Sequence, residues 1–254
     1  MSYPNSNPET DLKVDSPDVN IFWVSLIVEG GLVVLALIFA WGNFYQRDQP
    51  LSQLGLWPHW KFGLIWGTVA TVPPLLYLVA FHYWKPKFFA AMREVVDEKL
   101  KPMFRSSSLI ELLVISLMAG FCEEVFFRWS LQGGIASWLT AELEPGAANL
   151  IALIIASALF AVCHWVNKTY VIITFAIGLY LGWLMIATDN WLVPAVAHAL
   201  YDFIGWVYIS RWRKSYASDG AAMAANETWG MASKKVTVNM ALGQMLLAPN
   251  LLRE

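Results

Sequence analysis

The sequence predicts an all-α, polytopic membrane protein of about six transmembrane helices, on three observations. Hydrophobic residues make up 57% of the 254 residues and charged residues only 14%, whereas soluble domains have roughly 45–50% and about 25%. The 14 Trp, 14 Phe and nine Tyr are more aromatic side chains than one soluble core of this size holds. Six apolar stretches approach the roughly 20 residues that a helix needs to cross a bilayer.

The composition also excludes several other classes of protein. Charge is scarce and the net charge is −2, so a nucleic-acid-binding surface is not expected. There is no internal repeat of the kind that builds a solenoid, and two cysteines cannot form a disulfide framework. We therefore expect the lipid bilayer, and no nucleic acid, to surround most of the chain.

Local signals justify the predicted spans in order. Trp23 and Trp41 lie in the first span where interfacial aromatic residues are expected. Pro73-Pro74 predicts a kink or break near the middle of the second, and the run Ser106–Ser108 provides an N-cap for the third. The six spans are Val19–Phe44, Lys61–Trp84, Ser106 to beyond Phe121, Ala147–Trp165, Tyr170–Thr188 and Trp191–Trp212.

The distribution of Lys and Arg predicts the orientation. With the N-terminus inside, fourteen of the 17 basic residues fall on the inner side, and only Arg47 and Lys61 fall outside, while Arg128 lies within the third span. The positive-inside rule then places both termini in the cytoplasm, at the plasma (inner) membrane if the source is bacterial. The segment Lys85–Arg105 mixes basic and apolar residues, which predicts an amphipathic helix on the inner face.

Ionisable side chains at membrane depth are the candidate functional residues, because burying such a group costs several kcal/mol or more. Glu29 lies beside Gly30-Gly31 and is interpreted mainly as a packing or polar contact. Glu111 lies near a helix start, where an acid is favourable, and His82 lies among interfacial aromatic residues. The other candidates are Glu123, Glu124, Arg128, His164, His198 and Asp202.

Two adjacent acids, Glu123 and Glu124, make the third span unusual. Their side chains point about 100° apart on a helix. Arg128 follows Glu124 by four residues, so these two can pair as a structural brace. Glu123 has no local partner, and a buried carboxylate without one is suited to act as a general base.

Two histidines on other spans are the expected partners of these acids. His164 ends the fourth span, and His198 and Asp202 share a face of the sixth. One buried histidine is more often a packing residue. Three helices that each carry polar groups, however, indicate that these groups meet around water or a ligand in a polar intramembrane cavity. Cys122 and Cys163 point away from the neighbouring candidates and are interpreted as packing residues.

Three ordered blocks resemble the CAAX-protease and bacteriocin-processing (CPBP) family of intramembrane proteases, which includes the Rce1-like and Abi proteins. The family pattern is Glu-Glu-x-x-x-Arg, then Phe-x-x-x-His, then His-x-x-x-Asn or a close variant. Glu123–Arg128, Phe160–His164 and His198–Asp202 correspond to it here. The resemblance covers about Ser106–Trp212. The expected organisation is a cytoplasmic tail (1–18), two transmembrane helices with the basic amphipathic segment (19–105), a catalytic four-helix core (106–212) and a second cytoplasmic tail (213–254).

The resemblance implies an endopeptidase that cleaves a membrane-associated peptide or protein near the membrane interface. It implies that Glu123 acts as general base with His164 as its partner, and that His198 stabilises the oxyanion. Glu124 and Arg128 would shape the pocket. At position 202 this chain has Asp where the family often has Asn. An ionised Asp would repel an oxyanion, so this residue must be protonated, orient the histidine by a hydrogen bond, or bind a metal.

A metal-dependent alternative stays open. Glu123, His164, His198 and Asp202 together are a possible zinc ligand set. The sequence contains no His-Glu-x-x-His run, and we favour a metal-free glutamate mechanism with no cofactor.

Two other functions are the alternatives to a protease. A catalytically silent scaffold or immunity protein is disfavoured by the intact acidic and histidine blocks. A proton-coupled transporter is disfavoured because the sequence shows no inverted repeat. Serine and aspartyl intramembrane proteases are unlike this chain, which has neither Gly-x-Ser-Gly nor Gly-x-Gly-Asp.

Overall fold

A computed structural model describes residues 21–45, 59–83 and 90–211, so the predicted tails (1–18 and 213–254) lie outside the described residues. The described residues are almost entirely helical and include no strand, which confirms the predicted all-α class. Two π-helical turns cover Val96–Leu100 and Val125–Gln132. The α-helices are α1 (Ile21–Tyr45), α2 (Trp60–Ala70), α3 (Val72–Tyr83), α4 (Ala90–Val95), α5 (Lys101–Phe104), α6 (Leu109–Glu124), α7 (Gly133–Leu139), α8 (Pro145–Cys163), α9 (Lys168–Thr188) and α10 (Leu192–Arg211).

Five helical segments of the described chain are long and apolar enough to cross a membrane, where about six were predicted. They are Ile21–Gly42, Trp60–Ala80, Pro145–Cys163, Lys168–Thr188 and Leu192–Arg211. The third predicted span differs because α6 has only 16 residues before the helix widens into the π-helical turn Val125–Gln132 and continues as α7. Wide turns of this kind occur frequently at functional sites. The integral membrane location is confirmed, whereas the orientation stays a prediction.

The break predicted in the second span falls at Thr71, between α2 and α3. Pro74 has no backbone N–H and cannot bond to the carbonyl of Ala70, four residues earlier. The hydroxyl of Tyr180, on α9, donates to that carbonyl over 2.7 Å instead. A neighbouring helix thus satisfies the backbone group that the proline leaves open, as a membrane interior requires.

The helices α6 and α10 pack together at the centre, with α1 against α6 and α2 against α10. At Gly120 of α6, an added Cβ would lie only 2.6 Å from the Cβ of Ala199 on α10. Small residues that allow such close approach drive helix association in lipid. The outward faces carry large apolar side chains such as Ile27 and Trp41, each 69% exposed. These faces suit contact with lipid.

Caps fix the ends of the helices around the site. Ser108 accepts a hydrogen bond from the Glu111 N–H at 3.2 Å, and the Glu111 carboxylate accepts one from the Ser108 N–H at 2.7 Å. This capping box begins α6 within the predicted N-cap run. Asn167 caps α9 by accepting from the Tyr170 N–H at 2.8 Å. His164 is therefore held in a short connection between α8 and α9.

The described part of the predicted amphipathic segment is helical from Ala90 to Phe104. It buries Val95, Leu100 and Phe104 and exposes Glu94, Asp97 and Glu98. One apolar and one charged face are what an amphipathic helix requires. Residues 85–89 of this predicted segment lie outside the described chain.

Candidate active site

The two adjacent acids, Glu123 and Glu124, end α6 and are 2% and 0% exposed. Because neighbouring side chains on a helix point about 100° apart, the two carboxyl groups reach different helices. Glu123 faces His164 at the end of α8, and Glu124 faces His198 on α10. The adjacent acids therefore belong to two separate clusters.

Glu124 is at the centre of a fully buried polar network. Arg128 Nε donates to Glu124 Oε2 over 2.9 Å, which is the contact that the spacing of four residues predicts. His198 Nδ1 donates to the other carboxylate oxygen, also at 2.9 Å. The guanidinium carbon of Arg128 lies 5.0 Å from the centre of the Phe160 ring. This network joins α6, the following π-helical turn, α8 and α10 behind the cavity.

His164 presents one ring nitrogen to Glu123. Its Nδ1 lies 2.8 Å from the Phe160 carbonyl oxygen, and because a carbonyl only accepts, Nδ1 carries the proton. Its Nε2 lies 3.5 Å from Glu123 Oε2. That buried oxygen makes no hydrogen bond with any described residue. The Glu123–His164 pair thus keeps an open acceptor, which a bound water molecule can use.

His198 lies between two carboxyl groups. Its Nδ1 bonds to Glu124, and its Nε2 is 3.6 Å from Asp202 Oδ2, one turn further along α10. Glu124 is fully buried, whereas Asp202 is partly exposed. The ring is therefore fixed at its buried end and faces Asp202 at its open end.

A cavity of about 190 Å³ connects these groups. Five acidic or histidine residues line it, namely Glu29, Glu123, His164, His198 and Asp202. Much of the remaining wall is apolar and includes Val96, Leu100 and Phe104 from the amphipathic segment. Glu124 and Arg128 are not among the lining residues. The predicted polar cavity within the helices is thus present, and the Glu124 network supports it from behind.

Sequence reasoning missed Glu29 as a residue of this site. Glu29 is 4% exposed, lines the cavity from α1 and lies within hydrogen-bonding reach of Glu123. The sequence feature that pointed to this role was an acidic residue in the middle of an apolar span, but the adjacent glycines favoured a packing interpretation. A Cβ added at Gly30 would meet nothing within 4 Å, so that glycine does not mark a close helix contact.

Several aromatic hydroxyl groups were also missed. Tyr77, Tyr170 and Tyr201 line the cavity with the ionisable residues. In a chain with nine tyrosines, nothing in the sequence distinguished these three. His82, predicted to be interfacial, pairs with the hydroxyl of Tyr208 and so joins the end of α3 to α10.

The possible zinc ligand set does not form a cluster. Within the described residues, no three His, Cys, Asp or Glu side chains converge closely enough to hold a metal ion. Cys122 is buried and Cys163 partly buried, and both are free thiols. The predicted set Glu123, His164, His198 and Asp202 is spread along the cavity wall instead.

The helices and the acid–histidine cavity define a polytopic membrane protein with a polar site between its helices. Residues 105–204 match the family model described as type II CAAX prenyl endopeptidase Rce1-like. This match confirms the predicted resemblance over that segment, and the endopeptidases that the description names are peptide hydrolases. The matched segment contains all three blocks and leaves α1–α5 outside. No curated protein and no solved structure shows significant similarity to the chain.

Proposed function

We propose that the chain is an intramembrane endopeptidase in which Glu123 activates water with the help of His164, without a metal ion. The observation that carries this proposal is the buried pair of Glu123 Oε2 and His164 Nε2, 3.5 Å apart at the wall of a polar cavity. A carboxylate and a neutral imidazole can both accept hydrogen bonds from one water molecule. That water is then oriented for attack on a peptide carbonyl.

The proposed reaction balances with these groups alone. The water oxygen bonds to the carbonyl carbon while one water proton passes to the Glu123 carboxylate. The resulting tetrahedral oxyanion collapses, the carbon–nitrogen bond breaks, and Glu123 returns its proton to the leaving amine. His164, held by the Phe160 carbonyl at 2.8 Å, keeps Nε2 directed at this water throughout.

His198 is the proposed oxyanion donor. Because its Nδ1 already donates to Glu124, donation from Nε2 requires the imidazolium form. The carboxyl groups of Glu124 and Asp202, at either end of the ring, stabilise that cation. In this interpretation Asp202 orients and supports the histidine and does not touch the oxyanion. This accounts for an acid at the position where the family pattern often has Asn.

The substrate proposed for this site is a membrane-associated peptide or protein. The apolar wall of the cavity, which includes Met103, Phe104 and Trp206, suits apolar side chains or a prenyl group near the scissile bond. The family description names prenylated CAAX substrates, so a prenylated Cys-a-a-X peptide is the first probe to use. We further propose that both termini are cytoplasmic, from the distribution of basic residues.

The test compares wild type with Glu123→Gln in liposomes. Cleavage is measured on a prenylated Cys-a-a-X peptide, and cellular membrane peptides are compared by mass spectrometry in cells that carry either form. We expect Glu123→Gln to fold and insert but to cleave nothing, because an amide cannot accept a proton from water.

The matched control for this test is Glu111→Gln. It makes the same substitution on the same helix, and Gln also serves in a capping box, so activity should be retained. A Glu123→Gln protein that cleaves at a near wild-type rate would show that the proposed general base is wrong. Ion flux without cleavage by the wild type would instead support the transporter alternative.

A further inference from the structure

We propose that Glu29 of α1 is a positioning residue for Glu123, with one proton held in a hydrogen bond between the two carboxyl groups. This inference rests on the proposed function, because it concerns the base of that reaction. Glu29 lies outside the family-matched segment 105–204. The N-terminal helix would thus contribute a third acidic group to a site whose other members lie within that segment.

The surroundings of the two carboxyl groups support this pairing. Glu29 and Glu123 are 4% and 2% exposed and line the same cavity, within hydrogen-bonding reach of each other. Carboxylate oxygens only accept, so a hydrogen bond between two carboxyl groups requires that one of them carries a proton. Glu29 Oε2 is buried and makes no hydrogen bond with any described residue. A proton shared with Glu123 would give this buried acid the partner that it otherwise lacks.

The packing of α1 brings Glu29 to this place. Glu29, Leu32, Ala36 and Ala40 recur at helical spacing along one face of α1, and all four are buried. Ser130, in the π-helical turn after α6, donates to the Ala36 carbonyl over 3.0 Å. The same face of α1 also packs against α6 and this turn, so the bond is one of several contacts that hold α1, two helical turns from Glu29. Glu29 therefore lies on the buried face of α1 and not on the face that contacts lipid.

The proposed pair would hold the base from two sides. His164 lies on one side of Glu123 at 3.5 Å, and Glu29 approaches from α1 on another. A carboxylate fixed in this way keeps its orientation toward the cavity, and a displacement of about 1 Å in a reacting group can cost roughly 100-fold in rate. The other ionisable groups facing Glu29 are Cys122 on α6 and His198 and Asp202 on α10.

Infrared spectroscopy of the full chain in detergent tests the shared proton without any substrate. We expect the wild type at neutral pH to show a protonated-carboxyl C=O absorption that is lost in Glu29→Gln and altered in Glu123→Gln. Glu111→Gln is the matched control and should retain this absorption. An unchanged absorption in Glu29→Gln would overturn the proposal.

The kinetic test uses two variants of similar length. Glu29→Met removes the hydrogen-bond donor and should lower kcat roughly 10- to 100-fold, with KM within about twofold, because the substrate contacts remain. Glu29→Gln keeps an N–H donor and should restore kcat to within about threefold of wild type. The substrate is the peptide whose cleavage stops in Glu123→Gln. A wild-type kcat in Glu29→Met would refute the positioning role.

A packing control separates positioning from simple loosening of α1. Ser130→Ala removes the bond to the Ala36 carbonyl and leaves both acids intact. It should keep the carboxyl absorption and a near wild-type kcat, and a loss as large as that of Glu29→Met would contradict the proposal. If Glu123→Gln is inactive while Glu29→Met is normal, only the Glu29 inference fails. If Glu123→Gln is active, the proposed base fails, and the infrared result still decides whether the acids pair.

Discussion

Removing the Arg128 side chain tests the buried network behind the cavity. Arg128 is fully buried, donates to Glu124 over 2.9 Å and lies 5.0 Å from the Phe160 ring. Alanine would leave the Glu124 carboxylate buried with only His198 as its partner among the described residues. Breaking a buried pair by removing one member typically costs about 3–5 kcal/mol, and losing the contact with the aromatic ring acts in the same direction.

That loss is large compared with the roughly 5–15 kcal/mol that stabilises a folded domain. For a chain of this size, 1 kcal/mol shifts Tm by about 2–4 °C, so Arg128→Ala should lower Tm by roughly 6–20 °C. Thermal melting in detergent, followed by tryptophan fluorescence, measures this shift. The double variant Glu124→Leu with Arg128→Ala should recover part of it, because no uncompensated carboxylate remains. An Arg128→Ala protein that melts within about 2 °C of wild type but cleaves nothing would refute the bracing role and place Arg128 at the substrate.

Two further predictions concern other parts of the structure, and the second has a control variant. Asp202→Asn should keep the cleavage rate, because the amide oxygen can still orient His198 and Glu124, the closer carboxyl group, still stabilises its cation. Bound zinc in the wild type together with an inactive Asn variant would contradict the metal-free mechanism. Gly120→Ala should destabilise the fold by about 1–3 kcal/mol, since the new methyl group would meet Ala199 and its backbone. Gly30→Ala is the control, because its added Cβ meets nothing, and it should be neutral or stabilising by up to about 1 kcal/mol. Equal melting temperatures of the two glycine variants would disprove the close approach of α6 and α10.

Features set by local spacing could be predicted from the sequence. The apolar spans follow from the thickness of the bilayer, and the break near Pro73-Pro74 follows from the missing backbone donors. The contact between Glu124 and Arg128 follows from their separation by four residues on a helix. Each of these depends on residues close together in the chain, where helical geometry fixes the relative positions.

Features set by packing between helices could not be read in this way. The resemblance brought Glu123 and His164 together, but their distance depends on how α6 meets α8. Which face of α1 turns inward depends on how α1 packs against α6 and the following π-helical turn, far away in the sequence. The role of Glu29 therefore became visible only in the folded chain. The π-helical turn after Glu124 was likewise not indicated by any local signal.

The two adjacent acids show how one helix can serve structure and chemistry at the same point. A rotation of about 100° between neighbours directs one carboxyl group to α10 and the other to the end of α8. Glu124 has close partners at 2.9 Å on both oxygens, so its position is fixed and its charge is compensated. Glu123 has its nearest basic partner at 3.5 Å and one oxygen without a hydrogen bond to any described residue. A general base needs both properties. Glu123 can take a proton from water because the fold leaves one of its oxygens open, and the fixed Glu124 beside it holds this end of α6 against the cavity.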